Sequence, residues 1–277
     1  MSFRIFLLAI LMVVVHFVTL QNPSQSHSTN TYIQNKTHVR HFSTTATKCP
    51  QPAQPPPSSY FKSQSNEDKK LMQWFGTLCN GTYIEMGALD GTVFSNSYVF
   101  NKALHWKGVL IELMKGNYDK LVKNRLEEIA TINAGVCNVP QKLHYFGGGA
   151  TGGIYEFASP TFRQQWWKDI KLDDPRVQEI ACDTLDNLLL EHAPTNTYFD
   201  FFSLDVEGAE FAVLKSVDWT RVGFGVILVE ADNHNELKNL AMRETIEAQG
   251  YIFLEDYERS YWFVNKDFHL IYQDVVY

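Results

Sequence analysis

The residues able to do chemistry in this chain stand at the ends of apolar runs. Four runs close on an acid: Tyr83-Ile84-Glu85, Val109-Leu110-Ile111-Glu112, Phe202-Ser203-Leu204-Asp205 and Ile227-Leu228-Val229-Glu230. Gly87 and Gly91 follow the first run, four positions apart, before Ser95-Asn96. Short apolar runs of this kind read as buried strands, and glycines after a strand let a ligand approach the backbone. A helix starting there adds free N–H groups and a positive dipole end. In open α/β sheets ligands bind outside the carboxyl ends of the strands, so the four acids are expected to face one crevice.

The charges narrow the ligand. Gly87-x-x-x-Gly91 lacks one glycine of the dinucleotide pattern, and Asp90 would repel a pyrophosphate. A cationic ligand without phosphate fits better, and S-adenosylmethionine, with its sulfonium, is one. Glu112 suits a ribose, because a carboxylate accepts from both hydroxyls. It stands 25 residues after Gly87, near the ~20 seen in dinucleotide folds.

The elements that must position these residues alternate. Lys69 to Leu78 carries Leu71, Met72, Trp74, Phe75 and Leu78 at helical spacing, with Ser65 as the expected cap and Asp68 three positions on. The opening strand, a helix over Asn96 to Ala103, the strand Lys107 to Glu112, a helix through Tyr118, Leu121 and Val122, and a strand Ile129 to Val136 make β-α-β-α-β. That is the pattern of a parallel sheet wound by helices. Gln141 to Phe146 alternates as a strand, and five of the next seven residues are glycine. With no lysine at phosphate-loop spacing, Gly147 to Gly153 reads as a mobile loop near the site or a hairpin connection. Val177 to Cys182 is expected as a strand, Leu185 to Leu190 as a helix, and residues 154–175 carry no clear period. Phe199 to Asp205 is a strand entering an acid-rich turn, followed by a helix over Phe211 to Lys215. Gly223 to Glu230 is a strand, and Asn235 to Gln249 a helix with Leu237, Leu240, Ala241 and Ile246 on one face. Tyr251 to Leu254 and Tyr261 to Val264 close as an antiparallel edge hairpin.

The chain has 277 residues and a net charge of −7, which argues against nucleic-acid binding. Residues 1–66 hold no acid and five bases, so the body beyond them carries a net −12. Phe3 to Leu20 is apolar apart from Arg4, His16 and Thr19. Such a run spans roughly 27 Å, enough for a bilayer core. A signal anchor is favoured over a cleaved signal peptide, because the run is long and no A-x-A-like site follows. Residues 21–66 are rich in Ser, Thr, Asn, Gln and Pro and read as a disordered stem. Asn35-Lys36-Thr37 and Asn80-Gly81-Thr82 are glycosylation sequons. The expected layout is an anchor over 1–20, a stem over 21–66 and a globular domain over 67–277. That is the order of a type II membrane protein of the endoplasmic reticulum or Golgi, with secretion after cleavage as the alternative. The four cysteines have no C-x-x-C spacing, so neither a zinc site nor a redox motif is expected. Cys79, Cys137 and Cys182 are expected as buried small hydrophobes, with a disulfide left open.

Glu85-Met86-Gly87-Ala88-Leu89-Asp90-Gly91, Ser95-Asn96, Trp106-Lys107-Gly108-Val109-Leu110-Ile111-Glu112 and Ser203-Leu204-Asp205-Val206-Glu207-Gly208-Ala209-Glu210 together resemble the FkbM methyltransferase family. The resemblance spans roughly residues 80–265. It implies a class I methyltransferase fold, Rossmann-like, with a mostly parallel sheet, S-adenosylmethionine as cofactor and O-methylation as the usual reaction. An anchor before such a domain is similar to the animal group that includes the fly protein Star. That group implies membrane-protein cargo as an alternative partner to a glycan or small-molecule acceptor, and trafficking without catalysis as an alternative role. Matched to the family motifs, Glu85, Gly87, Ala88 and Gly91 would hold the methionine part of the cofactor, Asp90 would bind the cofactor with them, and Glu112 would bind the ribose. Asn96 would cap the first crossover helix beside the cofactor. Asp205 and Glu207 would face methyl transfer, while Glu210 caps its helix. Glu85 replaces the usual Asp, and Leu113 a usual Pro.

O-methylation needs a base near the acceptor hydroxyl. His234, after the strand ending in Glu230, is the first choice and His144 the second. A metal held by Asp205, Glu207 and Glu230 is conceivable, but the spacing is not diagnostic and none is assigned.

Overall fold

The computed structural model describes residues 42–50, 55–168, 170–231 and 235–273. The apolar run 3–20, the Asn35 sequon and His234 lie outside the described residues. Among the described residues no helix is long and apolar enough to cross a membrane.

Seven strands form the main sheet: β1 (Thr82–Met86), β2 (Lys107–Glu112), β3 (Ala130–Asn133), β4 (Tyr198–Leu204), β5 (Gly223–Glu230), β6 (Tyr251–Tyr257) and β7 (Ser260–Asn265). Their order across the sheet is β6-β7-β5-β4-β1-β2-β3. The β1–β5 neighbours pair in parallel, whereas β7 runs antiparallel to both β5 and β6. This is the mostly parallel α/β sheet with an edge hairpin that the sequence implies. The order reverses at β1, between β4 and β2, which is where a crevice opens in such sheets.

Both faces are covered, which is why β4 is buried at every position and reads as one apolar run. Side chains alternate across the sheet. Ile84, Ile111, Phe202 and Ile227 face the helices Leu185–His192, Glu210–Lys215 and Glu236–Glu247. Tyr83, Leu110, Phe201 and Val226 face Glu67–Phe75, Tyr98–Leu104 and Lys115–Asn124. A smaller sheet follows β3, in the order Gly135–Val136, Gln178–Asp183, Gln141–Phe146, Gly153–Ile154. The single strand expected over 129–136 is thus two, broken at Ala134 where the chain leaves the main sheet.

Several local expectations are corrected. The first helix begins at Glu67, and its cap is Asn66 in a left-handed conformation rather than Ser65. Asp68 instead accepts from Lys62 N, Ser63 N and Ser63 Oγ, at 2.6, 3.0 and 2.6 Å, and so fixes the segment before the helix. In Glu236–Glu247 the buried residues are Asn239, Met242 and Ile246, while Leu237 is 82% exposed and Leu240 52%. Two stripes share this helical period, and the sheet selects the one holding Met242. All four cysteines are disulfide-bonded, Cys49–Cys79 and Cys137–Cys182, rather than free buried thiols. Separations of 30 and 45 residues leave no local spacing signal.

The stem is also different where it is described. Thr47–Lys48 pairs antiparallel with Leu78–Cys79, and Phe42 stacks on Tyr198. The carboxylate of Asp200, fully buried in β4, accepts from Thr44 Oγ1, from Thr82 N at 2.6 Å and from Tyr272 Oη at 2.6 Å. One carboxylate therefore ties both ends of the domain to the sheet. Composition alone hides this, because a polar segment can be ordered by a few specific bonds to a buried charge.

Candidate active site

The site grows from the turn after β1. Gly87 has φ +77°, and a Cβ there would lie 1.8 Å from the Asp205 carbonyl oxygen. Only glycine allows the turn to lie against the end of β4 in this conformation. Glu85, 4% exposed, points to the helical side of β1. It accepts from Asn96 N at 2.6 Å, from Ser95 Oγ at 2.9 Å and from Ser97 Oγ. One carboxylate thereby satisfies the chain entering the helix Tyr98–Leu104. Beneath it, buried Arg125 donates to the Gly91 carbonyl, Ser95 Oγ and Ser97 Oγ, and pairs with buried Glu128 at 2.8 Å. Asn96 donates Nδ2 to Ser203 Oγ at 2.9 Å, bridging to β4. Its Oδ1 is buried and has no partner among the described residues.

Glu112, at the end of β2, accepts from Leu89 N at 2.9 Å and from Met114 N at 2.7 Å. Asn117 Nδ2 reaches it at 3.3 Å and also donates to the Gly149 carbonyl. Burial pushes the Glu112 carboxyl up to about 7, against the opposing pull of its backbone donors. The Gly-rich connection predicted as a mobile loop or a hairpin is the link between Gln141–Phe146 and Gly153–Ile154, and its Gly149, Ala150 and Gly152 line the cavity.

These groups surround one cavity. Glu85, Gly87, Asn96, Glu112, Asp205 and Glu207 all line it. Leu113, Val136 and Ile154 add an apolar wall, and Phe94 and Gln64 lie on its rim. Three further expected residues do not line it. Ala88 is 2% exposed and packs into the core beside Leu121, while Gly91 backs onto Arg125 and Leu121. Asp90 turns its carboxylate to Thr92 N and Val93 N, at 2.9 and 2.8 Å, and shapes the turn from outside. His144 is bonded to Glu156 on the small sheet, outside the cavity.

Beside the glycine turn, at the end of β4, stands an acid cluster. Glu207 has φ +55° and Gly208 φ +110°, a left-handed turn that carries strain at this site. Glu210 accepts from Val206 N and Gly208 N and pairs with Lys238 at 2.8 Å, so it braces the turn before its helix rather than capping the helix, whose N-cap is Ala209. Asp205 is half-buried and lines the cavity. Burial first, then the charges of Glu230 and Glu207, hold its proton on well above the ordinary range, and it donates to Glu230. Burial and the neighbouring Glu230 and Glu210 charges raise Glu207 to about 8. Glu230 is paired with Arg259.

Carboxylate oxygens of Asp205, Glu210 and Glu230 lie within 4.8 Å of one another, so Glu210 rather than Glu207 completes the trio conceivable for a metal. A proton on Asp205 and the cations Arg259 and Lys238 already balance these oxygens. Arg259 had no sequence signal. It sits in the turn between β6 and β7, and the pairing of Glu230 with Ser260 brings it to the acids. Phe94 and Gln64 were likewise silent, and Ser203 stood inside a family motif without an assigned role.

The profile of the methyltransferase FkbM domain family matches residues 85–253. No curated protein sequence matches the chain. A TehB-like SAM-dependent methyltransferase from Corynebacterium glutamicum is similar in structure at 11% identity, over 74% of this chain and 89% of that one, with a TM-score of 0.41. Methyltransferase FkbM from Methylobacillus flagellatus is similar at 12% identity and a TM-score of 0.40, over 67% of this chain and 43% of that one. At these scores the likenesses add nothing to the sheet order described above.

Proposed function

The chain belongs to the FkbM methyltransferase family, whose cofactor is S-adenosylmethionine, and on that premise we propose that it methylates a hydroxyl oxygen in the lumen of the secretory pathway. The observation that carries the reading is the convergence of Glu85, Gly87, Asn96, Glu112, Asp205 and Glu207 on one cavity.

The residues fit the cofactor. The unpartnered Asn96 Oδ1 is an acceptor suited to the ammonium of the methionine part. The bare backbone at Gly87 admits the chain of that part closely. Glu112, at the cavity wall, would accept from a ribose hydroxyl, and Leu113, Val136 and Ile154 would give an apolar wall for a flat base. The bound cofactor supplies an electrophilic methyl on a sulfonium.

The chain's part in the reaction is to place the acceptor and take its proton. Glu207 is the base in this reading. Its carboxyl is raised to about 8, which makes its carboxylate a stronger base than an ordinary one. Asp205 stays protonated against Glu230 and supplies a fixed hydrogen-bond geometry instead. Both disulfides support an oxidising compartment. The apolar run at 3–20 supports delivery there by a signal anchor.

Calorimetry of the full-length chain with S-adenosylmethionine tests the reading. Saturable binding of one equivalent is expected. A folded protein that takes up no heat with the cofactor would overturn it.

A further inference from the structure

A second cavity adjoins the first and shares Gln64, Ala150 and Glu207 with it. One wall is the turn Glu207-Gly208 with Glu230, Lys238 and Arg259. The other comes from the segment after the Gly-rich connection: Thr151, Ser159, Phe162, Gln165 and Trp166.

That segment holds two tryptophans treated in opposite ways. Trp167 is 4% exposed, packs against Phe146, Tyr155 and Phe162, and donates Nε1 to the Thr151 carbonyl at 2.8 Å. Trp166, beside it, is 53% exposed and lines the cavity. The hydrophobic effect opposes leaving such a ring in water. Arg163–Trp167 is a π-helical turn, a form that concentrates at functional sites and here sends the adjacent rings to different surroundings. Trp167 anchors the segment and Trp166 is presented.

Charge selects among ligands for such a ring. An anion would meet Glu207 and Glu230, and a cation would meet Lys238 and Arg259. Arg259 is paired with Glu230 and Lys238 with Glu210. Burial keeps Glu207 largely uncharged at neutral pH, where it donates as well as accepts. What remains is an aromatic face, two carboxamides at Gln64 and Gln165, and the hydroxyl of Thr151. An apolar C–H face beside many hydroxyls is the chemistry that uses all of these, and a sugar ring has both.

We infer that the second cavity binds the acceptor as a neutral saccharide, one sugar face lying on Trp166 and the reacting hydroxyl directed to Glu207. The inference rests on the methyl-transfer reading above and names its substrate class. The test titrates the full-length chain with the methyl glycosides of glucose, galactose, mannose, xylose and N-acetylglucosamine, and with trisaccharides of the same sugars. Tryptophan fluorescence and saturation-transfer NMR read the binding. At least one sugar is expected to saturate, with signal transfer strongest on one ring face. Trp166→Ala is expected to weaken it by about tenfold or more, Trp166→Tyr to retain it, and both to leave S-adenosylmethionine affinity within about twofold. If the cofactor binds and no saccharide does, or if Trp166→Ala binds sugar as well as the parent, the inference falls while methyl transfer stands. Saccharide binding without cofactor binding would overturn the methyl-transfer reading and keep the sugar site.

Discussion

Glu207 and Gly87 show how a single residue acts at this site. A carboxyl raised to about 8 is half ionised only in mildly alkaline solution. The rate at low acceptor concentration should therefore rise with pH and level off above about 8, with Glu207→Gln lowering kcat on the order of 10²–10⁴-fold and leaving cofactor affinity nearly intact. A pH–rate profile of both proteins checks this, and a flat profile in the parent would remove Glu207 as the base. Gly87 contributes by what it lacks. A methyl group there would meet the Asp205 carbonyl oxygen at 1.8 Å and would have to adopt φ +77°. Gly87→Ala should cost stability by about 1–3 kcal/mol and abolish cofactor uptake, measured by thermal unfolding and calorimetry.

At the scale of elements, the crevice depends on charges sealed behind it. Side chains of Arg125 and Glu128 are 0% and 1% exposed, and Arg125 reaches both serines that hold Glu85. Removing the cation alone leaves a buried carboxylate without its partner. Arg125→Met should destabilise the fold by about 3–5 kcal/mol, and adding Glu128→Gln should recover part of that loss in urea unfolding. The end of β2 makes the opposite kind of statement. Burial lifts Glu112 from 4.5 to about 7, so the folded chain holds this proton more tightly than the unfolded chain. The associated stability is complete below about pH 4.5 and is lost as pH rises through about 7, by up to about 3 kcal/mol. Asp205, Glu207 and Glu230 shift in the same direction. The thermal midpoint should fall from pH 5 to 8, less steeply in Glu112→Gln, and S-adenosylmethionine should reverse much of the fall.

Across the whole molecule, two disulfides join parts that the sheet alone does not hold. Cys49–Cys79 fastens the amino-terminal segment beside β1. Cys137–Cys182 closes the small sheet that carries the glycine connection to the cavity. Reduction should lower stability by about 3 kcal/mol for each bridge, seen as a lower denaturant midpoint with reductant. Cys137→Ser should also weaken cofactor binding, because Gly149, Ala150 and Gly152 line the cavity. Asn80 is exposed in a turn, so expression in a secretory host should add a glycan there, and peptide mass spectrometry reads it. An unmodified Asn80 would count against the lumenal assignment.

The sequence by itself determined the alternation of strands and helices, the acids at four strand ends and the need for glycine at position 87. These are local facts: a strand buried on both faces must be apolar, and a turn with positive φ admits little but glycine. It also carried the motifs that mark the family. Tertiary structure decided which acids share a space and what each one does. Asp90 and Ala88 lie in the motif but outside the cavity, because a turn's side chains diverge. Arg259 and Trp166 enter the site from distant positions, through pairing register and an exposed ring that no spacing encodes. The disulfides, the face of Glu236–Glu247 and the docking of residues 42–48 belong to the same class. Each depends on contacts between residues far apart in sequence, whose free energy exists only once the sheet has brought them together.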